Sequence, residues 1–132
     1  MQTLTVASVA IPLSETITVL TETKMAEVLN ICRERNVTRM PVIRRDAAGD
    51  KVIGLISLKK LLYLEELDLQ KTAGDYVNPA LYLREHLRLE EALRRMQRSG
   101  RRLAIVLGRD QREVGVVSLQ DILKTIFGEV NL

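Results

Sequence analysis

The fold of this chain is decided by the stretch Gly115-Val116-Val117-Ser118-Leu119-Gln120-Asp121-Ile122-Leu123. Its first residues form the short apolar run of a buried strand, and its later residues have the apolar spacing of an amphipathic helix. A second copy, Gly54-Leu55-Ile56-Ser57-Leu58-Lys59-Lys60-Leu61-Leu62, stands sixty-one residues earlier. Two copies of one strand–helix unit predict a tandem repeat. The copies differ at one informative place, because Lys60 replaces Asp121.

A helical stripe repeats in the same way. Apolar residues at i, i+3, i+4 and i+7 predict one amphipathic helix from Met25 and another, sixty-four residues later, from Leu89. Asn36 and Gly100 follow the two stripes and predict the left-handed residue that ends many helices. Each repeat therefore reads as β-α-β-β-α. The predicted strands are residues 17–20, 40–43, 52–56, 80–83, 103–107 and 114–117, and the closing helices are 58–67 and 119–127.

The repeats set the predicted domain organisation. The first spans residues 1–70 with an extended lead-in, and the second spans residues 71–132. Half of one repeat's sheet would stay exposed if the repeat stood alone, so we expect the two to pack about a pseudo-twofold axis. Pro41 lacks a backbone donor, which predicts that it starts its strand or lies on an edge. The predicted fold class is α+β.

Composition excludes several classes of protein. The chain has 132 residues, of which 46% are hydrophobic and 28% charged, as in ordinary globular domains. No apolar run approaches the roughly 20 residues of a membrane-spanning helix, and residues 1–10 lack the features of a signal peptide. The single cysteine, Cys32, excludes an internal disulfide and a multi-cysteine metal site and indicates a reducing, cytosolic setting. With His86 as the only histidine and no nucleophile–base pair, we predict no enzyme and no metal site.

Basic residues give no sign of nucleic-acid binding. The net charge is only +3, and the arginines between Arg84 and Arg112 are interspersed with acidic residues. Tyr82, just before Arg84, is the one aromatic residue beside the stretch, which therefore has no platform on which bases could stack. We therefore interpret the arginines as a solvated helix face and expect no nucleic-acid partner.

These motifs together resemble a tandem pair of CBS (cystathionine-β-synthase) domains, also called a Bateman module. Asn36-Val-Thr-Arg-Met-Pro-Val42 is similar to the family's helix end and R-x-P-V strand. Gly54-Leu-Ile-Ser57 and Gly115-Val-Val-Ser118-x-x-Asp121 are similar to its G-h-h-[ST]-x-x-D signature. The resemblance extends from Val6 to Phe127 and departs from the family pattern at Lys60.

A narrower likeness is to the CorC/hemolysin-C-like membrane transport proteins. Val9-Ala-Ile-Pro-Leu-Ser-Glu15 is similar to their V-M-T-P-R-x-D segment, although Ala10 and Ile11 replace Met and Thr. Residues 75–81, 103–106 and 119–130 also resemble that group. In it a membrane domain precedes a cytosolic CBS pair. The likeness therefore implies the cytosolic, regulatory part of an inner-membrane protein that transports ions such as magnesium or cobalt.

The resemblance also implies a non-catalytic function. CBS pairs bind adenosine nucleotides in the cleft between their repeats and alter a neighbouring domain, so the expected ligand is ATP, ADP or AMP, alone or with Mg²⁺. S-adenosylmethionine stays open as a related ligand, and a homodimer formed through CBS pairs is expected. An alternative is a CBS pair without a ligand that acts as a dimerisation or interaction module. The residues that match the nucleotide site are Ile11, Ser57, Lys59, Val116, Val117, Ser118 and Asp121.

The chemistry of these residues suits a nucleotide. A strand that runs into a helix presents free N–H groups and the positive end of the helix dipole, which favour a phosphate. Ser118 adds a hydroxyl donor, and Asp121 can accept hydrogen bonds from both ribose hydroxyls. The candidates for apolar contact with the adenine are Ile11, Val116 and Val117. Lys59 would be a partner for phosphate.

The same motif has a purely structural interpretation. Ser118 as N-cap with Asp121 reaching back to its N–H would form a variant of the capping box. The motif alone is compatible with both interpretations. Lys60 cannot accept hydrogen bonds from a ribose, so we expect one working site, in the repeat that contains Asp121, and a degenerate site in the other.

Overall fold

The computed structural model describes residues 3–128, which fold into two compact units. Unit I is Ile17–Pro79, and unit II comprises, within the described part, residues 3–16 and 80–128. The strands are β1 (Ile11–Pro12), β2 (Val19–Leu20), β3 (Arg39–Arg44), β4 (Lys51–Ser57), β5 (Leu81–Arg84), β6 (Leu103–Leu107) and β7 (Glu113–Ser118). The helices are α1 (Met25–Arg35), α2 (Leu58–Leu62), α3 (Leu89–Ser99) and α4 (Leu119–Phe127). Two sheets and four helices confirm the α+β class.

Unit I is built on a three-stranded sheet with the order β2-β3-β4. Strand β3 pairs parallel with β2 and antiparallel with β4. The predicted stripe of α1 is confirmed, because Met25, Val28 and Cys32 are buried and Leu29 packs against the same core cluster. The helix ends at Asn36, whose φ of 54° is left-handed as predicted.

Unit II is built on a four-stranded sheet with the order β1-β7-β6-β5. Here β7 pairs antiparallel with both neighbours, and β6 pairs parallel with β5. Leu89, Ala92 and Met96 of α3 are fully buried in its core, again confirming the stripe. Gly100 ends this helix with a φ of 68°. The β-α-β-β-α order predicted for each repeat is therefore confirmed.

Helix α2 is shorter than predicted. We predicted a helix over 58–67, but α2 ends at Leu62. Only Leu61 of the helix is buried, whereas Leu62 and Tyr63 are 76% and 78% exposed. The residues directly after Leu61 thus have no core to pack against, and tertiary packing is what extends most helices. Leu67 packs against the core cluster of unit I again, but outside the helix.

The prediction for Pro41 was wrong, because Pro41 lies inside β3, the central strand of its sheet. Its partner on β4 is Leu55. Leu55 directs its backbone N–H and C=O away from β3, to Asn78, at 2.9 and 2.8 Å. Pairs alternate along an antiparallel ladder between bonded and non-bonded, and this one is non-bonded. Pro41 is tolerated because β4 needs no donor from it.

The lead-in segments make the compact units differ from the sequence repeats. Residues 3–16 form the lead-in of the first repeat but belong to unit II, where Ile11 and Pro12 pair with Val116 and Gly115. Residues 71–79 precede β5 but belong to unit I, where Asn78 bridges Leu55. Each unit thus takes a lead-in from the other repeat. The division into repeats at 1–70 and 71–132 stays a prediction, and its residues 1, 2 and 129–132, with the likeness at Glu129 and Val130, lie outside the described residues.

Candidate functional site

The junction of β7 and α4 is the centre of the candidate site in unit II. Ser118 is the last residue of β7 and the N-cap of α4. Its extended backbone, with φ −97° and ψ 149°, turns the chain from strand to helix, and its Oγ accepts the backbone N–H of Asp121 at 3.0 Å. The N–H of Leu119 donates to the carbonyl oxygen of Arg102 at 2.9 Å and that of Asp121 to Ser118, so the junction offers a ligand chiefly the positive end of the helix dipole.

Asp121 lies in the first turn of α4, where its side chain is half-buried. The capping box would need its carboxylate to accept the N–H of Ser118, but only the Ser118 half of the box is formed. Two other caps in the chain are complete, since Ser8 and Asp75 accept the N–H groups of Thr5 and Thr72 at 3.2 and 2.9 Å. The carboxylate of Asp121 is therefore left out of the helix cap.

Strand β1 lies directly beside this junction. Ile11 pairs with Val116, and Pro12 with Gly115. The approach is so close that a Cβ on Gly115 would overlap the backbone oxygen of Ile11. Only glycine allows two backbones to approach in this way. The side chain of Ile11 is 41% exposed and provides apolar surface next to β7.

Val116 and Val117 differ in what they can offer a ligand. Successive residues of a strand point to opposite faces. Val117 is fully buried in the core cluster of unit II, so its side chain has no surface for a ligand in this structure. Val116 is nearly buried, at 4% exposed, beside Ile11.

Unit I contains the equivalent junction, between β4 and α2. Ser57 caps α2, but its Oγ is 3.5 Å from the backbone nitrogen of Lys60, which is a weaker bond than the one made by Ser118. Lys59 and Lys60 are both exposed on α2. The structure thus places Ser57 and Lys59 in one unit and the other predicted site residues, Ile11, Val116, Val117, Ser118 and Asp121, in the other.

A cavity of about 230 Å³ lies next to α2 in unit I, lined by Lys60, Leu61, Leu64 and residues 75–78. Hydrogen bonds from the backbone N–H and the hydroxyl of Thr72 hold the pKa of Asp75 below its usual value. None of residues 75–78 is among the site residues predicted from the sequence. A signal was present, because Asn78-Pro79 repeats Ile11-Pro12, and a Cβ on Gly54 would overlap Asn78 as one on Gly115 would overlap Ile11.

The environments of Cys32, Tyr82 and His86 give these side chains no part in the candidate site. Burial raises the pKa of Cys32, which packs in the core of unit I. Burial, and then the charge of Glu113, raise the pKa of Tyr82 on β5. The side chain of His86 is exposed, and its Nε2 lies 3.6 Å from Oε1 of Glu85. Within residues 3–128 no group of three or more His, Cys, Asp or Glu residues could hold a metal ion, and no helix there is long and apolar enough to cross a membrane.

Comparison with known proteins identifies the class. The family model of the CBS domain matches residues 6–66 and 73–128, which is nearly the whole chain. The chain therefore belongs to the CBS-domain family and contains two CBS domains in tandem, as the motifs around Ser57 and Ser118 predict.

Its relatives point to one group within that family. The chain is 34% identical over 127 residues to UPF0053 protein YhdT of Bacillus subtilis, covering 92% of this chain and 27% of that protein. It is 29% identical over 126 residues to the magnesium and cobalt efflux protein CorC of Salmonella typhimurium, covering 95% of this chain and 42% of that protein. The chain thus spans less than half the length of these relatives.

A solved structure supports the same grouping. The CBS domain of the bacterial CNNM/CorC family Mg²⁺ transporter, in complex with ATP, superposes with a TM-score of 0.82 at 26% sequence identity. The superposition covers 96% of this chain and 89% of that one.

Proposed function

We propose that this chain is a regulatory module that binds an adenosine nucleotide at the junction of β7 and α4. The candidate ligands are ATP, ADP and AMP, alone or with Mg²⁺. The observation that carries the proposal is that Ser118 caps α4 while the carboxylate of Asp121 takes no part in the cap. The similar CBS domain in complex with ATP supports ATP as the first ligand to test.

Each part of the junction has a chemical task in this proposal. The carboxylate of Asp121 accepts hydrogen bonds from the two ribose hydroxyls, which a carboxylate can do with its two oxygens. The N-terminus of α4, with nine residues, favours the phosphates. Ser118 keeps its hydroxyl hydrogen for donation, because its cap bond uses only the oxygen. Ile11 and Val116 provide apolar contact for the adenine.

Ser57 and Lys59 belong to the equivalent junction of unit I, and their contact with a nucleotide stays a prediction. Lys59 is exposed, and its ammonium on a flexible stem can neutralise phosphate charge. Lys60 stands in the place of Asp121, so the first turn of α2 lacks the carboxylate that would accept hydrogen bonds from a ribose. We therefore propose one nucleotide site per chain.

The proposed role is control of an attached membrane domain that transports ions of the magnesium and cobalt type. The relatives named for efflux or Mg²⁺ transport support this role, and a cytosolic location follows from it. A nucleotide can shift such a domain only by its differential affinity for two conformations, so no catalytic step is needed. The module is proposed to be regulatory and not an enzyme.

Thermal unfolding tests the proposal. The chain is heated with millimolar ATP, ADP, AMP or S-adenosylmethionine, each with and without Mg²⁺. A ligand at about 100 times its dissociation constant adds roughly 2.7 kcal/mol to the free energy of unfolding. We expect at least one adenosine nucleotide to raise the Tm by several degrees and Asp121→Ala to remove this rise. Lys60→Ala, the equivalent change in the other repeat, is the matched control and should keep it.

A specific observation favours a second function, that of a dimerisation module. Leu62 and Tyr63 at the end of α2, and Phe127 at the end of α4, are large and apolar yet exposed, the last at 64%. Such exposed groups are typical of interaction surfaces. If no nucleotide shifts the Tm of the unmodified chain while sedimentation shows a dimer, this second function replaces the first.

A further inference from the structure

The exposed face of α3 and the turn after it carry a run of like charges. Arg94, Arg95, Arg98, Arg101 and Arg102 form what we call the arginine stripe. The side chains of Arg94 and Arg95 are 61% and 47% exposed, Arg98 and Arg102 are exposed, and Arg101 is half-buried. In sequence, no acidic residue interrupts the run from position 92 to position 109.

The fold itself does not require this stripe, as the other repeat demonstrates. Helix α1 has the same length as α3, eleven residues, and it also ends at a left-handed residue. The positions equivalent to the five arginines hold Asn30, Ile31, Glu34, Val37 and Thr38. The corresponding helix of unit I thus forms without a single basic residue at these positions.

Stabilisation of α3 accounts for only part of the stripe. Glu91 pairs with Arg94 and, at 3.4 Å, with Arg95, and Arg98 in the last turn complements the helix dipole. Arg102 follows Gly100 and lies outside the helix. Like charges spaced three and four residues apart repel one another. A run of positive charge with no acidic residue within it favours an anionic partner.

We propose that the arginine stripe docks unit II on the anionic headgroups of a phospholipid bilayer. Guanidinium groups bind phosphate in a bidentate manner, and every cation of the stripe is an arginine. No aromatic residue lies between Tyr82 and Phe127, so the bases of a nucleic acid would find no stacking partner. The inference rests on the proposed function in one respect, because an attached membrane domain holds the stripe at high effective concentration near the bilayer.

Vesicle sedimentation tests the inference. The chain is mixed, without nucleotide, with vesicles of equal parts phosphatidylglycerol and phosphatidylcholine, or of phosphatidylcholine alone. We expect sedimentation with the anionic vesicles only, weakened by added salt as screening predicts. The variant Arg94→Gln/Arg98→Gln/Arg102→Gln should bind the anionic vesicles at least roughly tenfold more weakly. Arg33→Gln/Arg35→Gln/Arg45→Gln, which removes the same charge from unit I, is the matched control and should lose much less.

Three outcomes overturn the inference: no sedimentation with anionic vesicles, equal loss in both triple variants, or tighter binding to double-stranded DNA than to the vesicles at the same salt concentration. Should the stripe variant fail to fold, Arg102→Glu, outside the helix, replaces it with the same expectations. The stripe variant should keep the nucleotide-dependent rise in Tm. A loss of lipid binding with that rise intact separates this inference from the proposed nucleotide site.

Discussion

Ser118 and Asp121 stand one helical turn apart, yet the structure gives them different tasks. The hydroxyl of Ser118 satisfies a backbone donor of α4, whereas the carboxylate of Asp121 does not complete the capping box. A residue that caps a helix contributes to stability, and a residue kept for a ligand need not. The two roles can therefore be separated by mutation.

Ser118→Ala should lower the free energy of unfolding by about 1 kcal/mol, the usual cost of losing an N-cap side chain. Asp121→Asn should cost at most about 0.5 kcal/mol, as for a surface substitution. Urea unfolding of both variants without ligand measures these differences. An equal cost for the two substitutions would mean that the Asp121 carboxylate belongs to the helix cap.

For single residues, the sequence indicates which functional groups a site could use, but it indicates less well which way each side chain points. The exchange of Asp121 for Lys60 is visible in the sequence. It already predicts a working nucleotide site in one repeat and a degenerate site in the other. The choice of both Val116 and Val117 as ligand contacts overlooked the alternation of side chains along a strand. Val117 is buried in the core of unit II, a fact that depends on which face of β7 the helices cover.

Among the elements, the short strand β1 matters most for the candidate site. It can approach β7 closely because Gly115 has no side chain. Gly115 is needed because any side chain there would meet the backbone of Ile11. If β1 shapes the nucleotide site, displacing β1 should reduce nucleotide binding more than it reduces the stability of the fold.

Gly115→Ala should displace β1, cost about 1–3 kcal/mol as overpacking does, and abolish the nucleotide-dependent rise in Tm. Gly100→Ala is the control, because its φ of 68° makes alanine unfavourable by about 1 kcal/mol while nothing lies within 4 Å of the new Cβ. Calorimetric unfolding with and without ATP compares the two. A Gly115→Ala chain that keeps its full ATP response would separate β1 from the site.

Most elements could be predicted because their signals are local. The stripes of α1 and α3 and their left-handed ends follow from spacing and from Asn36 and Gly100 alone. The length of α2 could not be predicted, since the apolar pattern continues past Leu61 although Leu62 and Tyr63, which follow directly, are exposed. The place of Pro41 depends on where Leu55 sends its hydrogen bonds, which is a tertiary fact.

At the scale of the whole molecule, each unit contains the lead-in segment of the other repeat: residues 3–16 belong to unit II and residues 71–79 to unit I. The order of the sequence does not reveal this exchange of lead-ins. Two-residue strands such as β1 carry too little pattern to reveal their partners. The repeated caps at Thr5 and Thr72 and the repeated Ile11-Pro12 and Asn78-Pro79 were the only signs of it. Val6, in the lead-in of the first repeat, is fully buried in the core of unit II.

Val6→Ala should therefore destabilise unit II, by about 2 kcal/mol for the buried methyl groups and the cavity they leave. Hydrogen exchange should quicken in β5, β6 and β7 more than in β2, β3 and β4. Val28→Ala, in the core of unit I, should give the opposite pattern. Faster exchange chiefly in unit I after Val6→Ala would contradict the exchange of lead-ins.

The central claim, one adenosine-nucleotide site that depends on Asp121, is tested most directly by isothermal titration calorimetry with ATP. We predict one molecule of ATP bound per unmodified chain, no measurable binding by Asp121→Ala, and unchanged binding by Lys60→Ala. Two equivalents per chain, or binding that survives Asp121→Ala but not Lys60→Ala, would place the ligand elsewhere and contradict this account.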